Sequence, residues 1–158
     1  CTPEAPTVEA ALGGKKPKYE VVITNEDLQN VEATFSDKRD NDKVDFAMFG
    51  CPHFTLEEAQ HIAEGVKGKK LAIPMYILVS SHALQMAQRM GIADVLAEAG
   101  AEIIADSCPD QPCWHYLKGK VGITESPKCA YYPRRRGIHF IIRDLDTCIQ
   151  AALTGEVK

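Results

Sequence analysis

A chain of 158 residues with 45% apolar and 25% charged content has the size of one domain and can bury a core of its own. Its formal net charge of −4 argues against nucleic acid or an anionic membrane as partner, and no apolar run reaches transmembrane length. The first residues lack the order of a signal peptide. An opening on Cys1 rather than Met marks a trimmed or processed product or one piece of a larger protein.

Residues 1–18, rich in Pro, Gly and Lys, read as an irregular lead-in to a single α/β domain over 19–158. Tyr19–Thr24 is β-branched and reads as a strand, with Asn25 as N-cap of a helix to about Phe35. A charged loop fills 36–43. Val44–Phe49 is an apolar strand ending at Gly50, which places Cys51, Pro52 and His53 in a turn. Thr55 caps the next helix, with Glu57 and Glu58 in its positive first turn. Leu56, Ala59, Ala63 and Val66 form the apolar face of that helix.

Leu71–Val79 reads as a strand despite Pro74, a mark of an edge or bend. Ser80 and Ser81 open a helix to about Met90, and Ile92–Ala99 is a second one, ended by Gly100. Ala101–Ala105 is the next strand, followed by Asp106, Ser107 and Cys108. Residues 109–119 form a loop or short helix around Trp114. Val121–Thr124 is a strand, Ser126–Lys128 a turn into a helix, and Ile138–Ile142 the last strand. Leu145, Cys148, Ile149 and Ala152 make the apolar stripe of the final helix.

This alternation predicts an α/β fold: a mostly parallel sheet with helices on both faces. Ligand sites in such sheets gather beyond the C-terminal strand ends. Cys51 and His53, Ser80 and Ser81, Asp106 and Cys108, and Thr124 to Lys128 all fall there. The six cysteines sit in a chain without secretory features, so reduced thiols in a cytoplasmic setting are expected.

Cys51 and Cys108 are candidate metal ligands, since thiolate suits iron–sulfur clusters and a helix N-terminus lowers a thiol pKa. Two small buried hydrophobes is the plainer alternative. The Cys108–Cys113 spacing is open to a zinc or redox module, although no CxxC accompanies it. Cys148 belongs to the core stripe, and Cys129 reads either way. His53 is a candidate for proton transfer or for a structural hydrogen bond. Thr124, Ser126 and Lys128 form a polar set able to hold a carboxylate or phosphate, or an ordinary capped helix. Arg134, Arg135 and Arg136 read as a solvated turn, with an anion site as the alternative.

TPEAPT at 2–7, GCPH at 50–53 with Thr55 and Glu58, DSC at 106–108, TESPKCAYY at 124–132 and CIQAALTG at 148–155 together resemble the aconitase X family, in order and over almost the whole chain. The resemblance implies an aconitase-like domain, the C-terminal portion of the large catalytic subunit of a hydro-lyase. It implies an iron–sulfur cluster at the substrate site, with Cys51 and Cys108 as ligands and a third cysteine in the N-terminal part. It also implies that Thr124, Ser126 and Lys128 line a pocket for a small hydroxy acid, such as cis-3-hydroxy-L-proline or mevalonate 5-phosphate. The remainder of the large subunit and a small swivelling domain or subunit would be partners, and the general base would lie outside this chain. Ser107 stands where the family usually has Thr, and Glu125 where it often has Asn. Taken alone, the chain would then be a folded domain without activity of its own.

Overall fold

A computed structural model describes residues 4–37 and 43–157. Its centre is a five-stranded sheet in the order β3-β2-β1-β4-β5. The strands are β1 (Phe46–Phe54), β2 (Met75–Val79), β3 (Ala101–Ala105), β4 (Val121–Thr124) and β5 (His139–Ile142). Every pairing between these five strands is parallel, as the alternating pattern requires.

Burial on both faces explains why these strands are apolar at nearly every position. Ala47, Phe49, Met75, Ile77 and Val79 point to one core, packed under α3 (Leu56–Val66), α5 (Ile92–Ala99) and α7 (Leu145–Thr154). Phe46, Met48, Tyr76, Leu78 and Phe140 point to the other. That second core is closed by α6 (Pro127–Tyr131) and by the 3-10 turn Pro112–Leu117, through Trp114 and Leu117. Helix α4 (Ser81–Arg89) packs on α5 and α3. Cys148 is fully buried on the α7 stripe, as expected.

Several boundaries differ from the sequence reading. Tyr19–Thr24 forms no strand: β-branched propensity reflects packing in a sheet, and among the described residues the segment meets no sheet. The lead-in contains a short helix, α1 (Val8–Leu12). Thr24, not Asn25, caps α2 (Asn25–Phe35), because its hydroxyl accepts the Asp27 N–H while the Asp27 carboxylate accepts the Thr24 N–H. The second strand begins at Met75 rather than Leu71. Leu71 instead donates to the Ala99 carbonyl, and the Pro74 carbonyl accepts from Ala47. The charged loop at 36–43 is described only at its ends. Asp37 donates its N–H to Phe140, and Ser36 Oγ accepts from Ile142, so this stretch runs beside β5.

Thr55 caps α3 as expected, in a reciprocal box with Glu58. Among the described residues no helix is long and apolar enough to cross a membrane.

Gly122 in β4 makes room for the edge-on pair Phe46–Phe140, whose ring centroids are 5.2 Å apart. A Cβ there would stand 2.5 Å from Phe46 and 2.9 Å from Phe140. Gly122→Ala is expected to lower stability by about 1–3 kcal/mol through overpacking. A urea denaturation midpoint equal to that of the parent would show that the two rings have room to move.

Candidate functional site

The sheet grows outward from β1 in both directions, to β2 and β3 on one side and to β4 and β5 on the other. The crevice between β1 and β4 is therefore a topological switch point, the usual place for a ligand site. Beyond Phe49 the register of β1 slips. Cys51 and His53 are therefore not in a turn, as predicted, but on the irregular end of a strand that runs on to Phe54. The slip starts at Gly50, whose φ is +95° and whose Cβ, if present, would lie 2.0 Å from the Leu78 carbonyl oxygen. Only glycine fits there.

Gly50, Cys51, Pro52 and His53 line a shallow cavity of about 190 Å³ together with Ser107, Cys108 and Pro109. Two predicted metal ligands, 57 residues apart by numbering, thus face one space. Cys51 is buried and Cys108 exposed. The Cys51 thiol is pushed up by burial and by the neighbouring Cys108, and Lys128 opposes this. Among the described residues, no group of three or more His, Cys, Asp or Glu side chains is placed to hold a metal ion. Cys1 lies outside the described residues.

Each cysteine-bearing loop is tied down through a backbone carbonyl. The Ser126 hydroxyl donates to the Cys51 carbonyl. Trp114 Nε1–H donates to the Cys108 carbonyl at 2.9 Å. His53 Nε2 lies 2.7 Å from the Ser107 carbonyl; a carbonyl only accepts, so Nε2 carries the proton. That bond joins the end of β1 to the loop after β3.

Asp106 holds the start of that loop. It sits at φ +52°, a left-handed conformation Asp tolerates. Its N–H donates to Val79, and its carboxylate accepts the Ser81 N–H at the head of α4. The arginine run is not a solvated turn. Arg134 pairs with Asp37 at 2.8 Å, and Arg135 and Arg136 both grip Asp110, two residues past Cys108. The Arg135 hydrogen bond, with help from Arg136, holds the Asp110 carboxyl below the usual range. Asp110 carried no signal in the sequence, because its partners lie more than twenty residues away.

Thr124 and Ser126 come to the switch point, and both are buried; Lys128 is exposed. The Thr124 hydroxyl faces the Ser126 N–H and the Glu125 carboxylate, both at 3.3 Å. Ser126 Oγ also accepts the Cys129 N–H as the cap of α6. Cys129 is fully buried, and burial pushes its thiol well up. Cys113 is exposed and turned toward Gln111; it is not part of the cavity wall that holds Cys108. His61 pairs with Asp146 and His139 with Asp37, away from the site.

Glu125 is the feature whose consequence the sequence did not reveal. Burial raises its carboxyl to about 7, against hydrogen bonds from backbone N–H groups and the Thr124 hydroxyl. The folded state therefore keeps a proton between the ordinary carboxylate range and pH 7 that the unfolded chain releases. Stability falls as pH rises through that window. Glu125→Gln is expected to remove a fall of about 2 kcal/mol and to be the more stable form above pH 7. Denaturant melts at pH 5 and pH 8 check this; parallel behaviour of both proteins would mean that Glu125 ionises freely. Thiol labelling is a second check on the geometry. Cys108 and Cys113 should react in the folded protein, and Cys129 and Cys148 only on unfolding.

A family model described as the aconitase X third domain matches residues 44–154. The phosphomevalonate dehydratase large subunit of Thermococcus kodakarensis is 31% identical over 151 residues, which cover 88% of this chain and 38% of the relative. The cis-3-hydroxy-L-proline dehydratase of Hypocrea jecorina is 29% identical over 166 residues, covering 98% of this chain and 27% of the relative. The crystal structure of Thermococcus kodakaraensis aconitase X in its holo-form superposes with a TM-score of 0.72 at 30% identity, over 84% of this chain and 34% of that one. The chain thus spans less than two-fifths of the length of these relatives. On this match in sequence and fold, the chain belongs to the aconitase X family.

Proposed function

We propose that this chain is part of a hydro-lyase that dehydrates a small hydroxylated carboxylate, with Cys51 and Cys108 as two ligands of an iron–sulfur cluster. The observation that carries this is the convergence of both thiols on one cavity at the C-terminal edge of the sheet. The donor set fits such a group as far as it goes: thiolate sulfur is the cluster ligand of choice, and the third ligand falls to the polypeptide that precedes this domain. The chemistry supplied there when the cluster is bound is Lewis-acid activation of the substrate hydroxyl. Relatives named for phosphomevalonate and for cis-3-hydroxy-L-proline make compounds of those two kinds the first substrates to try.

The chain's own residues have three tasks in this reading. Ser126 and Trp114 fix the peptide carbonyls of Cys51 and Cys108, so that the sulfurs meet the cluster without reorganisation. Lys128 is the exposed cation beside the cavity and binds the anionic end of the substrate. Thr124 and Ser126 line the substrate pocket beside Lys128 in this reading, and Ser126 also holds the loop that carries Cys51. His53 keeps Nε2 on the Ser107 carbonyl and leaves Nδ1 as the ring atom free to exchange a proton at the site. The base that removes the carbon-bound proton lies in the remainder of the large subunit or in a small partner subunit. The cytoplasm, where thiols stay reduced, is the location that suits this chemistry. With two ligands, the chain catalyses nothing by itself.

Anaerobic reconstitution of the complete enzyme should give bound iron and sulfide with a visible charge-transfer band. Cys51→Ser and Cys108→Ser should each abolish both. Trp114→Phe should keep the fold but lose iron to a chelator roughly tenfold faster. Full iron content in either cysteine variant would sink the assignment. Lys128→Ala should raise the substrate KM and leave the band unchanged.

A further inference from the structure

The described part of the chain outside the family match begins well before it. Residues 4–37 precede position 44, where the third-domain match starts. Within them, Val21, Val22 and Ile23 are 81%, 76% and 71% exposed. A run of β-branched side chains this open to water is unusual for a folded protein. Among the described residues, no backbone hydrogen bond reaches the N–H or C=O groups of residues 19–23. These groups stand ready for a ladder that the described residues do not complete. The alternation places Tyr19, Val21 and Ile23 on one side, an entirely apolar edge.

The exposed surface continues onto α2. Leu28 and Val31 are one turn apart and 59% and 46% exposed. Phe35, one further turn along, is covered: its ring meets Tyr131 edge-on at 5.2 Å. One end of the α2 stripe is therefore docked on α6 and the other is bare. The curated relatives that align over 98% of this chain extend far beyond it, since that alignment takes up 27% of their length. A domain described as third has others beside it, and those carry the chain length missing here.

We propose that residues 19–24 are a β-strand added to an open sheet edge of the polypeptide that carries the earlier domains of this family. The exposed stripe of α2 lies under the same cover. Strand addition suits the observations, because it satisfies bare main-chain groups and buries alternate side chains in one step. The docking also reaches the site. Helix α2 packs on α6, and α6 is capped by the Ser126 hydroxyl that holds the Cys51 carbonyl. The seat of the earlier domains is thus built onto the helix that positions one of the cavity's cysteines. The proposal rests on family membership and not on the cluster assignment.

The test uses the enzyme assembled from this chain and the earlier domains, as one continuous chain or as two. Hydrogen–deuterium exchange should show the amides of residues 20–23 slowed at least about 100-fold relative to a free peptide. The double variant Val21→Lys and Ile23→Lys should release that protection together with protection of a partner strand in the earlier domains. Exchange in β1 to β5 should stay unchanged, because both side chains are exposed within their own domain. Free-peptide exchange at 20–23 in the parent enzyme overturns the proposal. So does a variant that halves the particle mass without exposing a strand of the earlier domains, since the cover would then be a second copy. An assembled enzyme that protects the segment yet takes up no iron supports the strand addition and sinks only the cluster assignment.

Discussion

Right-handed crossovers govern the layout of this molecule. A parallel strand joined to its neighbour through a helix must cross over right-handed, so the face a helix covers depends on the direction in which the sheet is growing. From β1 the chain moves to β2 and β3, and α3 and α5 fall on one face. It then jumps back past β1 to place β4 and β5, and α6 falls on the other. Both faces are covered only because the direction reverses. The reversal splits the loops above β1 and β4; Ser126 meets the Cys51 carbonyl across that split, and the loop after β3 closes the cavity from the other side of β1.

What makes the crevice a site is the treatment of its backbone. A slipped strand end and a loop both leave peptide carbonyls outside any ladder. Here the Cys51, Ser107 and Cys108 carbonyls are each taken by a side chain from elsewhere: Ser126, His53 and Trp114. Asp110, clamped by Arg135 and Arg136, steadies the far side of the same loop. The sulfurs are left free of these duties. A binding site gains from such support because a ligand that meets fixed donors does not have to order them.

Much of the architecture is legible in the sequence. The strands under α3, α5 and α7 announced themselves by buried apolar runs, and Thr55 with Glu58 announced the head of α3. The errors share one cause. The β-branched run at 19–24 has the composition of a strand without a partner edge among the described residues. The stretch 71–74 has the composition of β2 without its ladder. The end of β1 looked like a turn because Gly50 and Pro52 are turn residues, yet the chain there stays extended with a slipped register. Composition reports what a segment tolerates, whereas pairing depends on what lies beside it.

The site divides in the same way. Cys51 and Cys108 were legible as a pair, because each stands at or just past the C-terminal end of a strand and parallel strands end on one edge. The sequence by itself determined the fold class, that edge, and the residue types placed on it. Tertiary structure alone decided that Ser126 grips the Cys51 carbonyl, that Trp114 grips that of Cys108, and that Glu125 is half-buried and holds its proton to about pH 7. The physical reason is range. Periodicity and capping act over a few residues, and a strand's end follows from them. A hydrogen bond between residues 75 positions apart, or the loss of water around one carboxyl, exists only once distant segments have packed.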